Sequence, residues 1–291
     1  MSAPARDGAP RWRSRALRVL TALALIGLML GLWAFVVEPA SLRTREAEIA
    51  LAEWPPELDG LRVAVLADLH VGSPWNGRAN LRRVVRATNR SRPDLVLIPG
   101  DLVIQGVVGG DPTPPEQFAA DLARLRAPLG VYGVLGNHDW WHGAAEVAAA
   151  LRSAGVVMLE DASAPIRRGA DTLWLAGVSD LWEGAHDIDA ALADVPPDAP
   201  TLLFTHNPDL FPDVPERVAL TIAGHTHGGQ VALPFIGRPI VPSSFGERFA
   251  IGHVREGTRD LFVSSGVGTS ILPVRFRVPP EVSVVTLRAA P

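Results

Sequence analysis

The chain has 291 residues, 47% of them hydrophobic, so it is long enough to bury a substantial core without covalent crosslinks. It contains no cysteine, which excludes disulfides, thiolate metal ligands and a cysteine nucleophile. All 27 basic residues are arginine, which excludes lysine general bases and Schiff-base chemistry, and the net charge of -4 does not favour nonspecific nucleic-acid binding.

The N-terminal part contains a candidate membrane segment. Residues 19–37 carry no charge and are numerous enough to cross a bilayer as a helix. The preceding arginines favour a cytoplasmic N-terminus and a body outside the cell membrane; they are Arg11, Arg13, Arg15 and Arg18. The apolar region of a signal peptide spans only about 7 to 15 residues, so the length favours a retained single-pass anchor over the alternative, a cleaved signal.

The organisation that follows from this segment has four parts. We expect a basic cytoplasmic segment at residues 1–18, a transmembrane anchor at 19–37, a charged linker at 38–57 and one folded domain at 58–291. Within that domain short Val, Leu and Ile runs alternate with helical periodicity, which predicts an α/β domain. The expected strands lie at 61–66, 95–99, 131–135, 173–178, 201–204, 220–223, 230–233, 260–264 and 282–287, and the expected helices at 80–89, 115–126 and 144–154.

Two further segments, 106–115 and 234–246, are rich in glycine or proline and predict loops. Either loop is suited to shape a substrate entrance. We find no internal repeat in the sequence.

Short blocks of aspartate, asparagine and histidine follow the expected strands. They read Asp68-Leu69-His70, Gly100-Asp101, Gly136-Asn137-His138-Asp139, Thr205-His206-Asn207 and Gly224-His225-Thr226-His227. Ligands bind open α/β sheets at the carboxyl ends of the strands, so we expect these blocks to converge on one edge. Their oxygen and imidazole donors suit two adjacent divalent cations, and the sequence therefore predicts a metal-dependent phosphoester hydrolase.

Spacing within the blocks supports this interpretation. Asp68 and His70 lie two residues apart, so on an extended segment they share a face. The carboxylate of Asp101 has two oxygens and is able to bridge two cations. Each block alone is also typical of an ordinary turn, and it is the ordered set that indicates a metal site.

The order D-x-H, GD, GNHD, H and GHTH resembles that of the calcineurin-like metallophosphoesterase superfamily over roughly residues 60–290. The longer block at 224–230, together with the N-terminal segment, is similar to the membrane-associated bacterial phosphodiesterase branch, which includes proteins acting on a nucleotide-linked lipid A precursor. The resemblance implies two packed mixed β-sheets flanked by helices in four layers. It implies one cation held by Asp68, His70, Asp101 and His227, and a second held by Asp101, Asn137, His206 and His225.

The resemblance further implies that His138 faces the substrate and is not a ligand. Two cations roughly 3.5–4 Å apart bind a bridging water and lower its pKa, which creates a hydroxide nucleophile. We expect His138, when protonated, to donate to the leaving oxygen or to stabilise it. Asp139 either orients a histidine or caps the helix that follows. The mixed ligand set suits manganese, iron or zinc without distinguishing them.

Other candidates lie outside these blocks. We expect His142, His186 and His253 to be surface residues or locally hydrogen-bonded ones. Asp180 either faces the site or, as we favour, caps a turn. Arg275 and Arg277 lie two apart and either contact phosphate or anionic lipid or lie on a solvated edge strand.

The tryptophans have two interpretations, a membrane-facing or ligand-stacking surface and core packing. Trp54 and Trp182 are among the residues that either interpretation covers, and we expect core packing for most of the tryptophans. Trp75, Trp140 and Trp141 adjoin the blocks and are the better candidates for lining the cleft.

The expected activity is hydrolysis of a phosphodiester or pyrophosphate bond in a lipid-linked or otherwise membrane-associated phosphoester substrate. One alternative is a general extracytoplasmic phosphatase or nucleotide phosphodiesterase that the anchor only localises. A second is a binding protein that retains metals without turnover, and the complete ligand set with His138 argues against it.

Overall fold

The computed structural model describes residues 11–290, so residues 1–10 of the expected cytoplasmic segment lie outside the described part. Helix α1 (Arg11–Leu32) continues as one π-helical turn over Trp33–Val37. The 23-residue stretch Arg15–Val37 is long and apolar enough to cross a membrane, and its most apolar 18-residue window is not buried against the rest of the chain. The expected apolar helix is therefore present.

The remaining residues form two six-stranded mixed sheets. The first contains, in spatial order, β1 (Arg43–Leu51), β12 (Glu281–Ala289), β2 (Leu61–Val65), β3 (Leu95–Pro99), β4 (Val131–Val134) and β5 (Val157–Met158). The second contains β10 (Gly252–Glu256), β11 (Arg259–Val263), β9 (Leu220–Ala223), β8 (Thr201–Thr205), β7 (Asp171–Val178) and β6 (Ala162–Arg168). The helices are α2 (Arg78–Ser91), α3 (Pro115–Leu122), α4 (Asn137–Ser153) and α5 (Ile188–Leu192).

The sheets pack face to face, with helices on both outer faces. Alternation along β2 shows how the sequence produces these layers: Val63 and Val65 face the second sheet, whereas Ala64 faces α2 to α4. The core between the sheets is built from Val, Leu, Ile and Phe side chains, each of which stabilises the fold by about 1.5–3 kcal/mol when fully buried. Helix α5 and the following 3₁₀ turn cover the outer face of the second sheet. The expected four-layer α/β fold is confirmed.

Strands β2, β3 and β4 are parallel neighbours in the first sheet, as are β7, β8 and β9 in the second. Parallel strands end at a common edge, so the loops that leave these six strands lie at one edge of each sheet. Of the expected strands, only 230–233 is wrong: the segment makes isolated bridges, Val231 with Phe276 and Leu233 with Gly237.

The expected linker at 38–57 contains strand β1, which pairs in parallel with β12. Its first residues are charged and exposed, whereas Ile49 and Leu51 are buried in the core between the sheets. The charged residues of this edge strand discourage pairing with other chains. The same charged residues make its sequence resemble a linker. Strands β5, β6 and β10 were also not predicted; β6 and β10 lie at sheet edges, where a proline such as Pro165 is tolerated.

Arg275 neither contacts solvent nor lies on an edge strand, so both interpretations given for it from the sequence were wrong. Its side chain is completely buried, and its guanidinium donates hydrogen bonds to the carbonyl oxygens of Ser265, Gly268 and Val278. Arg277 is exposed and lies outside any strand, so the two arginines share neither a face nor an edge strand. A guanidinium tolerates burial here because its five donors meet several backbone acceptors.

Candidate metal centre

The five polar blocks leave the carboxyl ends of five parallel strands, from both sheets. Asp68 and His70 follow β2, Asp101 follows β3, and Asn137 begins α4 just after β4. On the second sheet the exits of β8 and β9 supply the remaining side chains, which are His206, His225 and His227. All seven are buried, with at most 5% of any residue exposed. The structure therefore brings the seven expected ligand residues into one buried cluster.

The first half of the cluster contains Asp68, His70 and His227. Each offers a ligand atom, and these atoms lie within 4.8 Å of one another. The Nε2 atoms of His70 and His227 are 3.1 Å apart, and Nε2 of His227 lies 3.6 Å from Oδ1 of Asp68. The backbone amide of His225 donates to both oxygens of Asp68 and fixes the carboxylate.

The second half contains His206, His225 and Asn137. Nε2 of His206 lies 3.0 Å from Nδ1 of His225 and 3.1 Å from Oδ1 of Asn137. One atom joins the halves: Oδ2 of Asp101 lies 3.4 Å from Nε2 of His70 and 3.3 Å from Nε2 of His206. A carboxylate in that position is able to contact a cation on either side.

Hydrogen bonds on the outer nitrogens fix the orientation of two histidines. Nδ1 of His70 lies 2.9 Å from the carbonyl oxygen of Val103, and Nδ1 of His206 lies 2.8 Å from that of Pro99. A carbonyl only accepts, so each Nδ1 carries a proton, and in the neutral form of either ring the lone pair of Nε2 points into the cluster. This is the arrangement that metal-binding histidines adopt.

The ring nitrogens that face into the cluster lie close to one another: Nε2 of His70 is 3.1 Å from Nε2 of His227, and Nε2 of His206 is 3.0 Å from Nδ1 of His225. Buried polar atoms are normally paired, and nitrogen lone pairs this close require a cation or a proton between them. The donors present therefore fit divalent cations, and imidazole with carboxylate is the ligand mixture that manganese, iron and zinc accept.

The charges of the cluster depend on one another. Burial opposes protonation of His206, but the charge of Asp101 and its hydrogen bond outweigh this and raise the pKa of His206 to about 10. Burial and the neighbouring His206 lower the pKa of His225 to about 3. Burial also raises the pKa of the Asp68 carboxyl group. The buried carboxylates thus require positive charge beside them, which a divalent cation supplies.

The backbone of the ligand loops is strained. Asp68, His70, Asp101, His225 and His227 all have positive φ angles, between 37° and 68°. Each such residue costs of order 1–3 kcal/mol unless its surroundings hold it there, and this conformation is concentrated at functional sites. Close packing provides that support. The backbone of Gly266 lies so close to Asp68 that a Cβ on residue 266 would be 2.6 Å from the Cβ of Asp68, too near for any side chain. Sequence reasoning did not identify this supporting glycine.

His138 lies beside the cluster on the first turn of α4. Its Nε2 is 4.0 Å from Oδ2 of Asp101, and its ring packs edge-on against His70 with centroids 4.7 Å apart. The amide of Gln105 donates to its Nδ1, so the neutral ring carries its proton on Nε2, which faces the cluster. This proton position distinguishes His138 from His70 and His206, although His138 also offers a ring nitrogen within 4.8 Å of ligand atoms of His70 and Asp101.

Asp139 caps helix α4, one of the two expected roles, and it also holds a neighbouring loop. Its carboxylate accepts hydrogen bonds from the amides of Asp101, Leu102, Val103 and Gly136, at 2.8–3.1 Å. The bond from Gly136 caps α4, and the other three hold the loop that carries Asp101. Its hydrogen bonds in the described residues all go to backbone amides, so Asp139 positions a loop and caps a helix instead of orienting a histidine.

Two tryptophans form the rim of the cluster. Trp182 packs edge-on against His225 with ring centroids 4.5 Å apart, and Trp141 packs on His138 at 4.9 Å. Both are about half exposed. Trp182 is thus an exception to the core packing expected for most tryptophans, whereas Trp140, a candidate for lining the cleft, packs against the core beside the helices.

Asp180 follows β7 and is buried near the cluster. One carboxylate oxygen accepts from the amides of Trp182 and Glu183, which is the turn cap that we favoured. The other oxygen has no partner, and its charge acts on His206. The three remaining histidines make local contacts: His142 with Glu146, His186 with a nearby carbonyl and His253 with Asp260.

Comparison with known proteins agrees with this geometry. Residues 61–229 match the family model for calcineurin-like phosphoesterases. The uncharacterized metallophosphoesterase YkuE of Bacillus subtilis (strain 168) is 31% identical, over 88% of this chain and 89% of YkuE. A transmembrane protein with a metallophosphoesterase domain from Danio rerio is 29% identical, over 93% of this chain and 63% of that protein.

A third relative has a named substrate. The UDP-2,3-diacylglucosamine pyrophosphatase LpxG of Chlamydia trachomatis serovar D is 26% identical, over 91% of this chain and 95% of LpxG. The chain belongs to the calcineurin-like phosphoesterase family. It is a metal-dependent phosphoesterase, and its apolar helix together with its transmembrane relatives indicates membrane association.

Proposed function

We propose that the protein is a membrane-anchored phosphodiesterase or pyrophosphatase that uses two divalent cations and acts on a membrane-associated, lipid-linked substrate. The observation that carries the proposal is the position of Asp101 Oδ2 between the inward-facing Nε2 atoms of His70 and His206. A single cation would not need a carboxylate shared between two sets of ligands.

In this proposal Asp68, His70 and His227 hold one cation, and Asn137, His206 and His225 hold the other, with Asp101 shared. The cations supply Lewis-acid charge for the phosphate oxygens and lower the pKa of bound water. The outer hydrogen bonds to Val103 and Pro99 keep two imidazoles in the ligating tautomer.

His138 supplies a hydrogen-bond donor to the phosphoester. Burial lowers its pKa, and the amide of Gln105 occupies Nδ1, so the neutral ring is favoured and presents Nε2–H to the site. A neutral donor stabilises negative charge as it develops on the leaving oxygen, without becoming ionised itself. We therefore assign His138 charge stabilisation by the neutral ring, whereas from the sequence we expected the protonated form to act.

The membrane part of the proposal rests on helix α1. The arginines before the apolar stretch favour a cytoplasmic N-terminus, so the catalytic domain lies on the extracytoplasmic side. LpxG acts on a nucleotide-linked diacyl sugar, as its name states, and its similarity along nearly the whole chain supports a substrate of that chemical class.

A substrate comparison tests the proposal. Full-length protein loaded with manganese is assayed on bis-p-nitrophenyl phosphate and on p-nitrophenyl phosphate, and then on vesicles that carry a nucleotide-linked glycolipid. We expect the diester to be preferred and the vesicle-bound pyrophosphate to be cleaved. A strong preference for the monoester, with no cleavage in vesicles, would contradict the proposal and favour a general phosphatase.

A further inference from the structure

Several large apolar side chains outside α1 project into solvent close to the end of that helix. Phe235 is fully exposed and Ile271 is 70% exposed. We use the name apolar collar for the six residues Trp75, Val108, Phe235, Ile236, Ile271 and Leu272. Contiguous exposed apolar residues of this size mark a surface that contacts a partner or a membrane.

Backbone contacts connect the loops of the collar. The amide of Val108 donates to the carbonyl of Ile271 at 2.9 Å, which joins the loop after β3 to the loop after β11. Gln230, next to the hairpin that carries Phe235, donates through its side chain to the carbonyl of Ser270 at 3.1 Å. The collar is therefore one surface built by adjoining loops.

The same loops are fixed to the end of the membrane helix. Nε1 of Trp75 donates to the carbonyl of Phe35, and the amide of Arg275 donates to the carbonyl of Ala34, each at 2.9 Å. Glu38, just beyond the helix, is buried and its charge acts on Arg275. The end of the helix is thus attached to the domain at the collar, with no free linker between them.

The loops of the collar also extend from the blocks that supply the cluster. Trp75 lies five residues after His70, and Phe235 eight residues after His227. Gly268, three residues before Ile271, packs so closely on His70 that a Cβ there would lie 2.5 Å from the Cβ of His70. A surface that contacts the collar therefore lies next to the loops that carry His70 and His227.

We propose that the apolar collar inserts into the interfacial region of the bilayer around the end of helix α1 and holds the opening of the cluster at the lipid surface. The occupant is the bilayer, because the collar adjoins the end of a helix that is long and apolar enough to cross one. Trp75 suits this depth, since tryptophan is enriched at membrane interfaces. The inference rests on the anchor proposed above, and not on the chemistry of the substrate.

The absence of cysteine allows a direct test, in which single cysteines label chosen positions of the full-length chain. Phe235→Cys and Ile271→Cys are labelled with the fluorophore NBD and reconstituted in phosphatidylcholine–phosphatidylglycerol vesicles, with or without a shallow doxyl quencher on the acyl chain. Val157→Cys is the matched control, because Val157 is exposed on β5 and pairs near the beginning of β4, at the opposite end of the strands.

We expect NBD at positions 235 and 271 to shift to shorter wavelength and to lose at least half of its emission to the quencher, whereas NBD at 157 is unaffected. Equal and weak quenching at all three positions would overturn the collar. Shielding at 235 and 271 without quenching, lost as protein is diluted among more vesicles, would also overturn it by showing that a second copy covers this surface. Flotation with the vesicles tests the anchor separately, since it requires only α1.

Discussion

Hydrogen bonds decide which nitrogen of each histidine faces the cluster. The carbonyls of Val103 and Pro99 fix the protons of His70 and His206 on Nδ1, whereas the amide of Gln105 fixes the proton of His138 on Nε2. These three neighbouring histidines thus differ in which ring nitrogen carries the proton, because of backbone groups that the sequence motifs do not reveal. The proposed division into ligands and a donor therefore depends on the fold around them.

Replacing His138 by alanine removes the donor and leaves the ligand set complete. We expect kcat to fall by roughly 10²–10³-fold, with a larger loss for substrates whose leaving oxygen is more basic, because such oxygens need more charge stabilisation. Metal content, measured by elemental analysis, stays at the wild-type value. His142→Ala is the control, since His142 pairs with Glu146 on the same helix and lies outside the cluster. Loss of metal in His138→Ala would show that this histidine is a ligand.

Arg275→Met removes the donors of several buried carbonyl oxygens. Each acceptor left unpaired costs about 1–3 kcal/mol, so we expect a loss of at least roughly 3 kcal/mol in the free energy of unfolding. Thermal unfolding in detergent, followed by tryptophan fluorescence, should show a Tm lower by about 6 °C or more. Arg277→Met is the control, because that side chain is exposed and its loss should change the stability by less than about 0.5 kcal/mol. Equal Tm values for the two variants would contradict this account.

At the scale of secondary-structure elements, the buried strands and the ligand blocks were predictable from sequence. Buried parallel strands are nearly continuous Val and Leu runs, and a polar residue where such a run ends is visible without a structure. The signal for β1 was hidden because only Ile49 and Leu51 face the core. Arg275 and Trp182 were also not predictable, because a local pattern does not show that distant carbonyls enclose a guanidinium or that an indole packs on a histidine.

Strand β1 gives the prediction that belongs to this scale. Ile49→Ala creates a cavity between the sheets, and we expect a cost of about 2–4 kcal/mol in the free energy of unfolding. Thr44→Ala, at an exposed position of the same strand, is expected to have little effect. Urea unfolding of the two variants in detergent measures the difference. Were residues 38–57 a mobile linker, Ile49→Ala would be as harmless as the control.

At the scale of the whole molecule, the two sheets bring their strand ends to one edge, and the membrane helix ends beside the same loops. The fold therefore places a cluster for charged phosphate oxygens close to an apolar surface. This arrangement suits the proposed substrate, because its phosphate group would contact the polar cluster while its lipid tail stays in an apolar environment. The strained loops of the cluster are held by the packed sheets around them.

The central claim is that seven side chains hold a pair of cations and that the carboxylate of Asp101 contacts both cations. Anomalous X-ray scattering from crystals of the full-length protein grown with manganese tests it most directly. We predict two anomalous peaks roughly 3.5–4 Å apart, with Asp101 between them. The first lies beside Asp68, His70 and His227, and the second beside Asn137, His206 and His225. A single peak, or peaks away from these residues, would contradict the account.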